Sequence, residues 1–144
     1  MVERTLVLVK PDGIERQLIG EVIHRFERKG LHVAALKMLR FDVELSRKHY
    51  AEHLDKDFYP KLEKFITSGP CVAMVLEAPD VIPLVRRMIG ATNHLESEAG
   101  SIRGDFACST RLNLVHGSDS PESAVREIPI FFNEDEIFDP PEDN

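Results

Sequence analysis

The sequence predicts an α+β fold in which a four-stranded antiparallel sheet is covered by helices. Three observations predict it. Short runs rich in β-branched residues recur along the chain, segments with apolar residues at helical spacing separate them, and Gly, Pro and Asp mark the junctions. At 144 residues the chain has the length of one domain, 1–144, which buries roughly two thirds of its unfolded surface without disulfides.

Arg4 to Lys10 is a continuous valine-rich run that stops at Pro11-Asp12-Gly13, as expected of a central strand covered on both faces, with Lys10 left at its end. Ile19, Val22, Ile23 and Phe26 then follow at helical spacing, with Arg28 and Lys29 in the last turn and Gly30 as a left-handed stop. Leu31 to Phe41 reads as a second strand. Two short helices are expected over Ser46–His53 and Tyr59–Ser68, the second ended by Gly69-Pro70. Cys71 to Leu76 is a further buried strand. Asp80 is placed to cap a helix carrying Val81, Val85, Met88 and Ile89 that ends at Gly90. Ala91 to Gly100 is polar and aperiodic, a loop long enough to need partners to stay ordered. Leu112 to His116 reads as the last strand, and Ser120 with Pro121 opens the last helix. This order matches a ferredoxin-like βαββαβ sandwich with the helices on one face.

Charge and composition exclude several classes of function. Eighteen basic against 25 acidic residues give a net charge of −7, which repels nucleic acid, so no stable nucleic-acid binding is expected. The acidic excess is concentrated in the C-terminal segment 134–144, which reads as a solvated tail or a subunit-edge segment. No apolar run reaches the roughly 20 residues of a membrane span, and Met1 to Thr5 leads directly into a strand, so the expected compartment is the cytoplasm. Cys71 and Cys108 both stand among small or apolar neighbours and are expected to pack as small hydrophobes.

The densest chemical signal runs from Asn113 to Ile128. His116 stands at a strand end, followed by Gly117, Ser118, Asp119 and a helix. Glu127, a little over two turns along that helix, can reach back to fix the imidazole tautomer and leave the other nitrogen free. Acyl transfer through Ser118 or Ser120 would need a GxSxG elbow, which is absent. Metal ligation would need histidine partners, and His24, His32, His49, His53 and His94 form no HExxH or comparable pattern. Attack by the imidazole on a phosphoryl group remains, and Lys10, Arg86, Arg87 and Arg103 supply cations for it. Gly100, Gly104 and Gly117 would let backbone approach a ligand closely.

From Thr5 to about Phe132 the chain resembles the nucleoside diphosphate kinases. The signature NxxH[GA]SD[SA] lies unbroken at Asn113–Ser120, and Val9-Lys10-Pro11-Asp12-Gly13, His49-Tyr50, Ser68-Gly69-Pro70, Gly90-Ala91-Thr92-Asn93 and Ile102-Arg103-Gly104-Asp105-Phe106 fall in order. The resemblance implies that His116 accepts the γ-phosphate of a nucleoside triphosphate, mainly ATP, and passes it to a nucleoside diphosphate. It gives Glu127 and Ser118 the task of holding the ring, with Tyr50 close by. Arg86, Thr92, Arg103 and His53 match phosphate contacts, Lys10 and Asn113 match contacts to the ribose 3′-hydroxyl, and Phe58 resembles the ring on which the base stacks. It further implies Mg2+ between the β- and γ-phosphates, held mainly by nucleotide and water so that no protein ligand is named, and a homohexamer. A catalytically silent module binding nucleotide or a protein is the alternative on this fold. Two positions depart from the common pattern: Lys56-Asp57 stands where many members have Arg-Pro, and His94 where many have proline.

Overall fold

A computed structural model of the chain describes residues 2–141. The first strand, β1 (Val2–Val9), leads into α1 (Pro11–Glu15) and α2 (Ile19–Arg28), and then β2 (His32–Arg40) and α3 (Val43–His49). A short 3-10 turn at Ala51–His53 precedes α4 (Tyr59–Ile66) and β3 (Pro70–Pro79). Next come α5 (Val81–Ile89), α6 (Ile102–Phe106), β4 (Val115–Gly117), α7 (Pro121–Phe131) and a 3-10 turn at Glu134–Glu136. The sheet order is β2-β3-β1-β4 with every pairing antiparallel, the arrangement expected of the βαββαβ sandwich.

Leu6 to Val9 and Cys71 to Glu77 are buried without a break, because β1 and β3 lie at the centre of the sheet and are covered on both sides. This corrects the expectation of helices on one face. On β4 a Cβ at Gly117 would press on Ile89 and Val85 of α5, whereas the neighbouring His116 meets Glu127 of α7. Adjacent strand residues point to opposite faces, so α5 and α7 lie on opposite sides of the sheet. Phe26, Phe41, Leu6, Leu8, Ile66 and Met74 fill the core between the layers. Fully burying each such side chain stabilises the fold by roughly 1.5–3 kcal/mol.

Local chemistry sets several boundaries. Asp42 accepts from the Leu45 amide at 2.7 Å, so α3 starts three residues before the expected Ser46. Ser120 caps α7 as expected, accepting from the Ser123 amide at 3.1 Å. Asp80 does not cap with its side chain. It sits at φ 54° and offers α5 its carbonyl, which accepts from the Leu84 amide. The short helices α1 and α6 escaped the periodicity reading because five residues cannot show a 3.6-residue repeat.

The last strand is three residues long, not the five expected from Leu112 to His116. Leu114 has φ 76°, and its amide donates to the Asp12 carboxylate at 3.0 Å, which turns the chain out of the ladder just before Val115. The acidic C-terminal segment is pinned as far as it is described. Arg4 pairs with Asp139 at 3.0 Å, Lys37 with Glu136 at 3.3 Å, and the Phe138 amide donates to the Ala34 carbonyl at the β2 bulge. The rest of that segment, 142–144, lies outside the described residues. Cys71 is buried as expected, but Cys108 is exposed, because it lies on the loop after α6 rather than in the core. Among the described residues no helix is long and apolar enough to cross a membrane.

Candidate active site

Pairing of β4 with β1 sets the site. His116 lies opposite Leu8, one register step from the Val9–Val115 pair, so the strand end carrying Lys10 and the strand carrying the histidine open on the same side. His116 Nε2 lies 3.2 Å from Glu127 Oε1, and the same oxygen accepts from Ser118 Oγ at 2.7 Å. Ser118 is fully buried, and its hydroxyl oxygen also accepts from the Leu6 amide at 3.1 Å. This fixes the Glu127 carboxylate, which in turn fixes the imidazole. Burial alone would push the Glu127 carboxyl up, but the hydrogen bond and charge of His116, aided by Ser118, hold it below its ordinary value. A carboxylate accepting at Nε2 selects the tautomer with the proton there and leaves the Nδ1 lone pair free.

A second histidine stands against the first. His49, at the end of α3 and 3% exposed, packs nearly perpendicular to His116 with ring centroids 4.9 Å apart. Its ring is also wedged against Tyr50 at 4.6 Å and Phe131 at 5.3 Å. Burial, followed by the charge of His116, pushes its pKa down to about 3, so it is neutral, and its Nδ1 is buried without a hydrogen-bond partner. Sequence patterns could not reveal this pair, since the two residues reach one another only through the packing of α3 on α7. The lack of an HExxH or comparable pattern thus goes together with a histidine neighbour brought in by the fold.

Cations line the same cleft. Lys10 is 8% exposed and its Nζ donates to Asn113 Oδ1 at 2.5 Å. Burial and the nearby Arg103 push its pKa down to about 8. Arg103 is itself buried and donates to the carbonyls of Val115 at 2.7 Å, Gly90 at 3.0 Å and Asn113 at 3.3 Å. Burial and the charge of Arg86 lower its pKa to about 10. With three of five N–H donors committed to backbone, Arg103 both builds the turn at 113–115 and keeps donors for a ligand. Arg86 donates to the Gly117 carbonyl at 3.3 Å and pairs with Asp119 at 3.1 Å. The left-handed Leu114 belongs to this turn: the Lys10 amide donates to its carbonyl at 2.9 Å, which aims Asn113 at Lys10. Strain of this kind is kept where the surroundings over-determine it.

These groups face a cleft of about 820 Å³. Of the residues singled out from the sequence, it brings together Lys10, Tyr50, His53, Phe58, Arg86, Thr92, Arg103, Asn113, His116 and Glu127, while Ser118 lies behind Glu127 and out of it. Phe58 is 51% exposed at the mouth, with His53 5.7 Å away and Lys56 Nζ 6.0 Å over its ring. Burial raises the Tyr50 hydroxyl pKa. Lys61, Leu62, Thr110, Arg111 and Arg126 also line the cleft and were not singled out. Lys61 and Leu62 had a signal in their place one turn along the helix that Phe58 opens, but Arg111 had none. The three glycines expected to admit a ligand do not line the cleft. A Cβ at Gly104 would overlap the Glu98 carbonyl and one at Gly117 would strike Ile89, so these positions serve the chain's own packing.

A ferredoxin-like sheet carrying a carboxylate-held histidine and buried cations in one cleft defines the class. The sequence profile of the family "Nucleoside diphosphate kinase" matches residues 3–137. The chain belongs to the nucleoside diphosphate kinase family. It is 57% identical to a nucleoside diphosphate kinase of Rhodopirellula baltica over 95% of this chain and 90% of that one. It is 54% identical to one of Methanocaldococcus jannaschii over 96% and 99%. Among solved structures, the halophilic nucleoside diphosphate kinase of Halobacterium salinarum in complex with CDP superposes with a TM-score of 0.95 at 47% identity, covering 99% of this chain and 95% of that one. The enzyme of Aquifex aeolicus superposes at 0.92 with 43% identity, covering 95% and 99%. The chain is accordingly a nucleotide-binding phosphotransferase with nucleoside diphosphate kinase activity.

Proposed function

We propose that this activity runs through a phosphohistidine at His116, by a ping-pong reaction between a nucleoside triphosphate, mainly ATP, and a nucleoside diphosphate. The observation that carries this is the 3.2 Å contact of Nε2 with Glu127, which leaves Nδ1 with a lone pair inside the cleft. Nδ1 attacks the γ-phosphorus, the bond to the bridging oxygen breaks, and the diphosphate leaves with that electron pair. The terminal oxygen of the acceptor diphosphate then attacks phosphorus, and the electron pair of the P–N bond returns to Nδ1. Arg86, Arg103, Thr92 and His53 contact the phosphates, Lys10 and Asn113 the ribose 3′-hydroxyl, and Phe58 the base. Glu127 and Ser118 hold the ring, and Tyr50 buttresses His49 behind it. The CDP bound by the Halobacterium salinarum enzyme supports a nucleotide in this cleft.

Mg2+ is expected with the nucleotide. Glu127 already accepts from His116 and Ser118, and Asp119 is paired with Arg86, which supports an ion held mainly by phosphate and water. It supplies neutralisation of phosphate charge. The silent-module alternative is not favoured by the relatives' names. We further propose a single domain over 1–144, a cytoplasmic location and a homohexamer. Exposed Leu36 and Met38 on the sheet-edge strand β2, 51% and 58% accessible, support assembly. Incubation with γ-labelled ATP tests the reaction: the chain should acquire an acid-labile label that His116→Ala abolishes. An acid-stable label surviving in that variant would refute it. Light scattering across a dilution series tests assembly, and a fully active monomer at micromolar concentration would defeat the hexamer.

A further inference from the structure

We propose that His49, His116 and Glu127 form a binding site for a zinc-class dication that overlaps the nucleophile and switches it off reversibly. Each residue offers one ligand atom, and the three atoms lie within 4.8 Å of one another. Two imidazole nitrogens and one carboxylate are a donor set that Zn2+ takes in open tetrahedral sites, with water in the fourth position. Metal–nitrogen and metal–oxygen bonds of about 2.0–2.1 Å place tetrahedral ligand atoms roughly 3.3 Å apart. His116 Nε2 and Glu127 Oε1, at 3.2 Å, already have that spacing. His49 must close on them by roughly an ångström or more to reach it. Its ring is positioned by edge-on contacts with aromatic neighbours, and its buried Nδ1 has no hydrogen-bond partner. A buried polar atom without a partner calls for an explanation, and a ligand is one.

All three residues line the cleft, so an ion can enter from solvent. The donor set also separates this site from the Mg2+ of the reaction. Mg2+ requires near-ideal octahedral oxygen coordination and disfavours imidazole, whereas Zn2+ and its neighbours in the series accept nitrogen. The consequence for chemistry is a tautomer change. An ion bonded to Nε2 takes the lone pair there, the ring proton moves to Nδ1, and Nδ1 no longer has a lone pair with which to attack phosphorus. This consequence rests on the phosphohistidine reading, but binding of the ion does not.

Titration of the nucleotide-free full chain with Co2+, a spectroscopic stand-in for Zn2+, tests the site. One ion per chain should bind with the intense visible absorption of four-coordinate cobalt, and Zn2+ should displace it. His49→Gln should weaken binding by more than the roughly 10–100-fold lost with an outer-shell partner. Nitrogen-15 imidazole spectra of the unaltered chain give a readout independent of any variant: Zn2+ should move the His116 proton from Nε2 to Nδ1, and a chelator should move it back. Weak six-coordinate absorption, unchanged affinity in a folded His49→Gln chain, or an unaltered His116 tautomer would each overturn the proposal. Zn2+ should also block γ-labelling until a chelator is added. A chain that takes no label even without zinc would sink the phosphohistidine reading and leave the metal site standing.

Discussion

Lys10 is a cation that the free protein holds at a cost, and Lys10→Met exposes that cost through its dependence on pH. Burial and Arg103 lower the Lys10 pKa from 10.5 to about 8. At about 1.4 kcal/mol per pKa unit, keeping the side chain protonated in the fold costs roughly 3 kcal/mol. The unfolded chain binds the proton more tightly, so between about pH 8 and 10.5 it carries more protons than the folded one, and wild-type stability rises with pH across that window. The gain is complete above the unfolded value and is lost as pH falls through about 8. Methionine removes the charge and also the 2.5 Å bond to Asn113 Oδ1, and an unpaired buried acceptor costs about 1–3 kcal/mol. Near neutral pH the two effects nearly cancel. The decisive quantity is the slope, since the stability of the variant relative to wild type should fall by roughly 3 kcal/mol from below pH 8 to above pH 10.5. Urea unfolding of nucleotide-free protein at fixed protomer concentration measures it. A wild-type-minus-variant difference that stays constant across the window would refute the assignment of Lys10 as a destabilising buried charge.

Ser118→Ala leaves the Leu6 amide and Glu127 Oε1 short of a partner, so thermal melting should show about 1–3 kcal/mol of lost stability, and a loss too small to detect would contradict the hydroxyl's place in the network. Phe58→Ala, at an exposed ring, should leave melting unchanged and raise KM for all four bases alike by about 1–3 kcal/mol of lost stacking. A rise confined to one base would show that the ring reads sequence. Proline at position 94 would restrict the unfolded chain, but His94 Nδ1 lies 3.0 Å from Thr110 Oγ1 and its amide donates to the same oxygen at 3.4 Å, contacts that His94→Pro removes. The entropic gain of a few tenths to about 1 kcal/mol is then offset by about 1 kcal/mol of hydrogen bonding, so the variant should melt no higher than wild type. A clear rise in Tm would show that the Thr110 contact contributes nothing.

That loop shows how local order can escape a reading of periodicity. The stretch from Ala91 to Gly100 lacks periodicity, and within the chain Ser97 Oγ donates to the Ala91 carbonyl at 2.6 Å while the Leu95 amide donates to Asn93 Oδ1 at 3.0 Å. Side-chain bonds to nearby backbone order the loop without any repeat in hydrophobicity. In the same way the Asp12 carboxylate delays the start of the last strand to Val115, through a contact spanning a hundred residues that no window along the chain can contain.

Alternating and continuous apolar runs determined the strands, because a strand's burial is written in adjacent residues, and Gly30 and Gly90 marked helix ends by their left-handed freedom. The run Asn113–Ser120, with Glu127 in the following helix, determined the nucleophile and its orienting carboxylate, since a strand end and two helical turns bring them together by local geometry alone. Only the tertiary structure decided that Arg103 spends three donors on carbonyls, that Lys10 is buried enough to lose charge near pH 8, and that His49 stands against His116. Those outcomes depend on how α3, α6 and β4 pack around β1. Desolvation and ring contact are properties of that enclosure, which arises between segments far apart in sequence.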